Sequence, residues 1–312
     1  MPLVLGRLTG SELLFRVLDE LSELAENASE DVFVKNFIVQ FENVLNGRPA
    51  SMATINALRA LAEYIFEKGV TGLSEYIKDL KNKYDNALWK SAEVASRRVD
   101  NGDVILTNSN SLAVKRFLKT LRDQDKYVEL VVPESRPGNE GLLLAEYAES
   151  LGYDVRLITD SATRFFMKDV DKVFVGAEAI AANGAVVSKV GTSLVALVAK
   201  EARKRVFVIA PTAKFSYETV HGELLKLPEG GLELLVDMEK EALPEGFRAR
   251  VPLYDVTPAE YIDAIATEFG IVAPQAIPIL LRVIYGTYPP KVEPLSNLLR
   301  KLREKYSLGD RA

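Results

Sequence analysis

Apolar residues in the first third of the chain recur at helical spacing. Leu13, Leu14, Val17, Leu18, Leu21 and Leu24 fall at i, i+3, i+4 and i+7, and Ser11 is placed to cap that helix. Phe33, Phe37, Ile38, Phe41 and Val44 repeat the pattern, which Gly47 stops. Ile55, Leu58, Leu61, Ile65 and Phe66 mark a third helix from Ser51, and a fourth, long and highly charged, runs from Gly72 to Arg98. These stripes predict a helical domain over residues 1–98, with the apolar faces serving as core or subunit contacts.

After Asn101-Gly102 the period changes. Val104 to Leu106, Tyr127 to Val132, Val155 to Ile158, Val173 to Val175 and Val206 to Ala210 are short apolar runs. Helical segments separate them, at Ser111 to Leu121, Asn139 to Leu151, Ser161 to Lys168 and Ser193 to Lys204. Such alternation implies βαβ units and a parallel sheet with right-handed crossovers. The expected fold class is therefore α/β, an N-terminal helical domain followed by a Rossmann-like parallel-sheet domain over residues 99–312. Pro228 to Tyr254 is irregular, and Thr257-Pro258 is expected to open a further helix.

Composition removes several chemistries. The chain has no cysteine and a single histidine, His221, expected at the surface, so a cysteine nucleophile, a thiolate zinc site and a multi-histidine metal site are excluded. No metal or cofactor is expected. With 39 basic and 44 acidic residues the net charge is −5, which gives no global attraction to nucleic acid. The amino terminus lacks the pattern of a secretory signal, and no apolar run is long enough to span a membrane. A soluble cytoplasmic protein is expected. Nucleotide-binding fingerprints of the GxxxxGK[ST] and GxGxxG kinds are missing, as is HExxH.

In parallel sheets ligands sit beyond the strands' C-terminal ends. Those ends carry Thr107-Asn108-Ser109, Glu134-Ser135-Arg136, Thr159-Asp160, Gly176-Ala177-Glu178 and Thr212-Ala213-Lys214. Arg136 can hold a phosphate bidentately or pair with Glu134 at the surface. Lys189, between the Asn183-Gly184 turn and a helix start at Gly191-Thr192, can meet an anion or stay solvated. Glu178, Asp160 and Asp255 are each either acid–base groups or acceptors for backbone N–H groups. The basic stretch Arg300 to Lys305 reads as a solvated face.

Taken in order, these motifs resemble the translation initiation factor 2B family, which includes regulatory subunits of the eukaryotic exchange factor and two sugar-phosphate isomerases. The resemblance begins at Arg48-Pro49-Ala50-Ser51-Met52 with Asn56 and Arg59. It continues through Glu134-Ser135-Arg136-Pro137, Asp160-Ser161-Ala162, Gly176-Ala177-Glu178, Asn183-Gly184, Lys189-Val190-Gly191-Thr192, Lys214-Phe215, Asp255-Val256-Thr257-Pro258 and Thr267-Glu268-Phe269-Gly270. In the isomerases a cysteine after the first sheet strand and an aspartate ending Gly-Ala-Asp carry the proton transfers. The matching positions here are Ser109 and Glu178, and Ser188 stands where the isomerases have asparagine.

A serine hydroxyl cannot be tuned as a thiol can, and glutamate displaces the carboxylate by a methylene. The resemblance thus implies a non-catalytic, factor-2B-like regulatory protein. It would bind a sugar phosphate or nucleotide through Arg136, Lys189, Asn183, Arg48 and Asn56. It would also form a homodimer or higher assembly and contact initiation factor 2 or another translation factor. The alternative is an aldose–ketose isomerase acting on ribose 1,5-bisphosphate or methylthioribose 1-phosphate, with Glu178 and Ser109 at the reacting carbons.

Overall fold

The computed structural model describes residues 8–221, 227–236, 246 and 248–308. Four helices come first: α1 (Gly10–Asn27), α2 (Glu30–Gly47), α3 (Met52–Lys68) and α4 (Leu73–Ser96). The apolar stripes read from the sequence are their buried faces, with Leu18, Leu21, Phe37, Phe41, Leu58 and Leu61 all fully buried in one core. Each such side chain contributes about 1.5–3 kcal/mol of transfer free energy. The cap of α1 is Thr9, not Ser11. Thr9 Oγ1 accepts from the Glu12 N–H while Glu12 reaches back to the Thr9 N–H, a reciprocal pair that Ser11 cannot form.

The remaining elements alternate as expected: β1 (Val104–Leu106), α5 (Leu112–Asp123), β2 (Glu129–Pro133), α6 (Glu140–Ser150), β3 (Asp154–Ile158), α7 (Thr163–Phe166) and β4 (Lys172–Gly176). A short hairpin of β5 (Ala179–Ile180) and β6 (Val186–Lys189) follows, then α8 (Thr192–Glu201) and β7 (Arg205–Ile209). Beyond them lie β8 (Glu229–Gly230), β9 (Val251–Pro252), β10 (Tyr254–Thr257), β11 (Ala264–Thr267), β12 (Gly270–Val272), α9 (Ile277–Tyr285) and α10 (Leu295–Lys305).

The main sheet runs β12-β11-β7-β4-β1-β2-β3, all parallel except the edge pair β11–β12. The chain therefore winds outward from β1 in one direction through β2 and β3, and in the other through β4 and β7. The order reverses between β1 and β4, which is where a doubly wound sheet opens a crevice. Phe174 at its centre stacks between Phe117 and Phe207, with ring centroids 4.6 and 4.9 Å away. A second, antiparallel sheet, β10-β6-β5, packs beside it.

Two expectations are corrected here. Thr257-Pro258 does not open a helix: Tyr254–Thr257 pairs along β6, and Ala259–Tyr261 is a single 3-10 turn before β11. The strand wins because Thr257 and Tyr254 bury against β6, which a helix would pull away. Nor is the basic stretch Arg300 to Lys305 merely solvated. Leu298, Leu299 and Leu302 of α10 join the helical core, and Lys305 Nζ donates to the Phe66 carbonyl at the end of α3. Cations there complement the C-terminal end of a helix dipole. The backbone of His221 ends a 3-10 turn, and its side chain lies outside the described residues.

Candidate active site

A small cavity lies over the β1/β4 switch point. Its walls come from five places. Asn108, Ser109, Asn110 and Ser111 follow β1; Gly176, Ala177 and Glu178 end β4; Ser188, Lys189 and Thr192 bridge β6 and α8; Thr9, Gly10 and Ser11 close it from the start of α1. Lys214, from the turn after β7, completes the lining. Water-sized space inside amounts to about 30 Å3, so a sugar ring needs one wall to move.

Each wall is tied to the next. Glu178 Oε1 accepts the Gly10 N–H at 3.2 Å and Oε2 accepts the Ser51 hydroxyl at 3.0 Å, fastening α1 and α3 to the end of β4. Ser109 sits at φ +64°, a left-handed conformation a serine rarely takes. The neighbouring Ser135 (φ +62°) holds it by accepting the Ser109 N–H at 2.8 Å. This twist leaves Ser109 Oγ buried and without a hydrogen-bond partner. Asn108 Nδ2 donates to Thr192 Oγ1 at 3.0 Å, and Thr192 Oγ1 in turn donates to the Lys189 carbonyl at 2.7 Å.

The carboxylates left open by the sequence now have distinct roles. Asp160 accepts the N–H groups of Ser135 and Arg136 at 2.8 and 2.7 Å, so it shapes the loop after β2. Asp255 Oδ2 accepts those of Gly191 and Ser193 at 2.8 and 3.0 Å, holding the start of α8. Burial pushes the Asp255 carboxyl up to about 6, against the pull of those two N–H groups. Only Glu178 of the three lines the cavity.

The suggested anion contacts divide. Lys189 lines the cavity, ion-paired to Glu140 in the first turn of α6 and 5.2 Å from the Tyr254 ring centroid. Arg48 is buried behind the lining, donating to the Leu8 carbonyl and to Tyr254 Oη, with Glu178 Oε1 3.9 Å away. Burial opposes its charge, but Glu178, Tyr254 and Glu140 together outweigh that and hold the guanidinium above its ordinary value. Arg136, Asn183 and Asn56 are not among the lining residues. Arg136 is exposed and donates to the Leu234 and Leu235 carbonyls. Asn183 caps its own turn by accepting the Ala185 N–H. Asn56 donates to the Ala213 and Phe215 carbonyls, bracketing Lys214 instead of reaching the cavity.

The sequence presents Lys214 only as a strand-end residue and part of a Lys-Phe motif, with no role in the site, and does not mark the Thr9–Ser11 wall as part of it. The Thr9-x-x-Glu12 capping pattern was a usable signal for where α1 begins. Nothing local signalled that α1 would be folded against Glu178, because that contact joins residues 168 positions apart.

The fold is thus a doubly wound α/β sheet with a cavity at its switch point, lined by a carboxylate, hydroxyls and two lysines. The profile of the Initiation factor 2 subunit family matches residues 9–274, and the chain belongs to that family. The ribose 1,5-bisphosphate isomerase of Archaeoglobus fulgidus is 36% identical over 260 residues, 82% of this chain and 82% of that protein. Its namesake in Methanocaldococcus jannaschii is 35% identical over 276 residues, 87% and 88% of the two chains. Among solved structures, the translation initiation factor eIF-2B of Pyrococcus horikoshii OT3 has a TM-score of 0.74 and 28% identity, covering 85% of this chain and 92% of that one.

The isomerase relatives overturn the expectation of a non-catalytic regulatory factor. That expectation took Ser109 in place of a cysteine and Glu178 in place of an aspartate as incompatible with proton transfer. Lys214, from the turn after β7, is a further titratable group in the same cavity.

Proposed function

We propose that the chain is an aldose–ketose isomerase whose substrate is a sugar 1-phosphate, ribose 1,5-bisphosphate in particular. The observation that carries this reading is the convergence of Ser109 and Glu178, from the ends of two neighbouring central strands, on one cavity shared with Lys189 and Lys214. Relatives bearing that enzyme name at 36% and 35% identity support it.

The chemistry needs no electron carrier. The ring oxygen at C1 gains a proton as the ring opens, and C2 loses one to give an enol. C1 then gains a proton while the C2 hydroxyl loses one, leaving a ketone at C2. Two protons arrive and two depart. Glu178 is placed for the oxygen-borne protons, since its carboxylate oxygens already accept from Gly10 and Ser51 in a fixed orientation. The unpartnered Ser109 hydroxyl is a hydrogen-bond donor for a substrate oxygen. Lys189 grips a phosphate once it leaves Glu140, which also widens the cavity. Arg48 keeps Glu178 oriented from behind.

Purified protein incubated with ribose 1,5-bisphosphate and, separately, with methylthioribose 1-phosphate tests the reading. Formation of a ketose bisphosphate from the first supports it; turnover of only the second reassigns the substrate. Exposed Ile279 and Val283 on α9 are candidates for a self-association face, which light scattering of V283D would check.

A further inference from the structure

We propose that Lys214 is the base that takes the proton from C2 of the sugar and returns it to C1, standing in for the thiol this chain lacks. The inference rests on the isomerase reading above and assigns the carbon-borne proton, which neither Ser109 nor Glu178 is equipped to move.

The assignment follows by elimination within the cavity. Its titratable lining groups are Glu178, Lys189 and Lys214. Glu178 is assigned above to the oxygen-borne protons, held in place by Gly10 and Ser51 and facing Arg48. Lys189 is engaged by the Glu140 carboxylate and is assigned above to the phosphate. Ser109 has a free hydroxyl, but an alkyl hydroxyl is too weak an acid to act as a proton carrier without a base beside it.

Lys214 is different. It is 3% exposed, its Nζ donates to the Ala177 carbonyl, and it has no ion pair with any described residue. Burying an unpaired ammonium is costly, so the neutral amine is favoured. Burial pulls the Lys214 amine well below the ordinary lysine value, and the positive charge of Arg48 acts in the same direction, partly offset by Glu178. An amine with a lone pair and one remaining donor to the Ala177 carbonyl can accept a proton from carbon without leaving its place. Asn56 fixes that place, since its Nδ2 donates to the carbonyls on either side of Lys214, at 2.9 Å each.

In the step itself the C2–H bond breaks and its proton moves to Nζ. The electron pair forms the C1–C2 double bond as the bond from C1 to the ring oxygen breaks, and the ring oxygen takes a proton from the protonated Glu178 carboxyl. The ammonium then delivers the same proton to C1 as the C2 hydroxyl returns a proton to Glu178 and becomes a carbonyl. Nothing is oxidised or reduced overall, and Lys214 ends as it began.

Three measurements on the full chain decide it. In a carbon-13 titration of labelled lysines, with K214M to assign the resonance, Lys214 should change protonation at lower pH than every other lysine. Titration alongside the bulk lysines overturns the proposal whether or not the enzyme turns over. With ribose 1,5-bisphosphate, K214R should lose roughly 100- to 10,000-fold in kcat with little change in KM, the usual effect of removing a general base. Retained kcat, or a defect confined to KM, would mean that the cation only binds phosphate. K214A should be rescued by added primary amines, with rates rising with amine basicity; no rescue in a folded variant counts against the role. If wild-type protein shows no turnover at all, the isomerase reading falls and takes this role with it.

Discussion

Gly10 and Glu178 fix one another across the joint between the helical region and the sheet. The Gly10 N–H donates to Glu178 Oε1 at 3.2 Å, and a Cβ on Gly10 would lie 2.1 Å from Glu178 Oε2. The carboxylate cannot simply swing aside, because Ser51 holds the same oxygen. G10A is therefore expected to cost about 1–3 kcal/mol in urea unfolding, as overpacking does. It should also lower kcat by about tenfold or more, since a carboxylate displaced by ~1 Å is badly placed for proton transfer. Unchanged stability and rate together would show that Glu178 is not held there.

A second glycine is constrained by backbone, not by a side chain. A Cβ on Gly141 would meet the Pro133 carbonyl oxygen at 1.9 Å. Because β2 and α6 cannot separate without breaking the loop that carries Ser135, G141A should lose about 3 kcal/mol or more in the same unfolding assay. A neutral outcome would contradict the packing of α6 on β2.

Lys189 must exchange Glu140 for a phosphate if the cavity is to fill. Removing the competing carboxylate in E140Q should lower the KM for ribose 1,5-bisphosphate by roughly 2- to 5-fold, the equivalent of a partly exposed ion pair. K189M should raise KM instead. If E140Q raises KM as K189M does, Glu140 positions the lysine and does not compete for it.

The Asp255 carboxyl is pushed up to about 6 from an ordinary 3.8. The folded protein then binds a proton that the unfolded chain releases between those values. The contribution of this group is full below about pH 4 and is lost as pH rises through about 6. Urea unfolding of wild type and D255N across pH 4 to 8 should show the difference between them shifting against wild type over that window. A difference independent of pH would mean that Asp255 titrates as an ordinary carboxylate. Lys214 works the other way: its folded value lies below the unfolded one, so its burial penalty is largest in acid and fades as pH approaches the ordinary lysine value, 10.5.

Much of this architecture was legible in the chain because it is periodic. The stripes of α1 to α3 and the apolar runs of β1, β2, β4 and β7 each bury one face, and burial is what hydrophobic spacing records. The short elements were harder. Tyr254–Thr257 carries a helix-start signal in Thr257-Pro258, and only its pairing with β6 decides for a strand. The site was half legible. Ser109, Glu178 and Lys189 stand at strand ends or a helix start, which a doubly wound sheet always presents to ligand. Arg136 looked equivalent by position, yet its guanidinium is turned to the Leu234 and Leu235 carbonyls, a contact across 98 and 99 residues that no local pattern encodes. Lys214 is the converse: the chain shows a lysine before a phenylalanine, and only the fold shows that its amine is buried beside Glu178.

The isomerase assignment is tested most directly by following purified protein with ribose 1,5-bisphosphate by phosphorus NMR, with E178Q run in parallel. The wild type should form a ketose bisphosphate at roughly 1 per second or faster, ordinary for an enzyme, and E178Q should be slower by about a hundredfold or more. Wild-type protein that converts the substrate no faster than E178Q would contradict it.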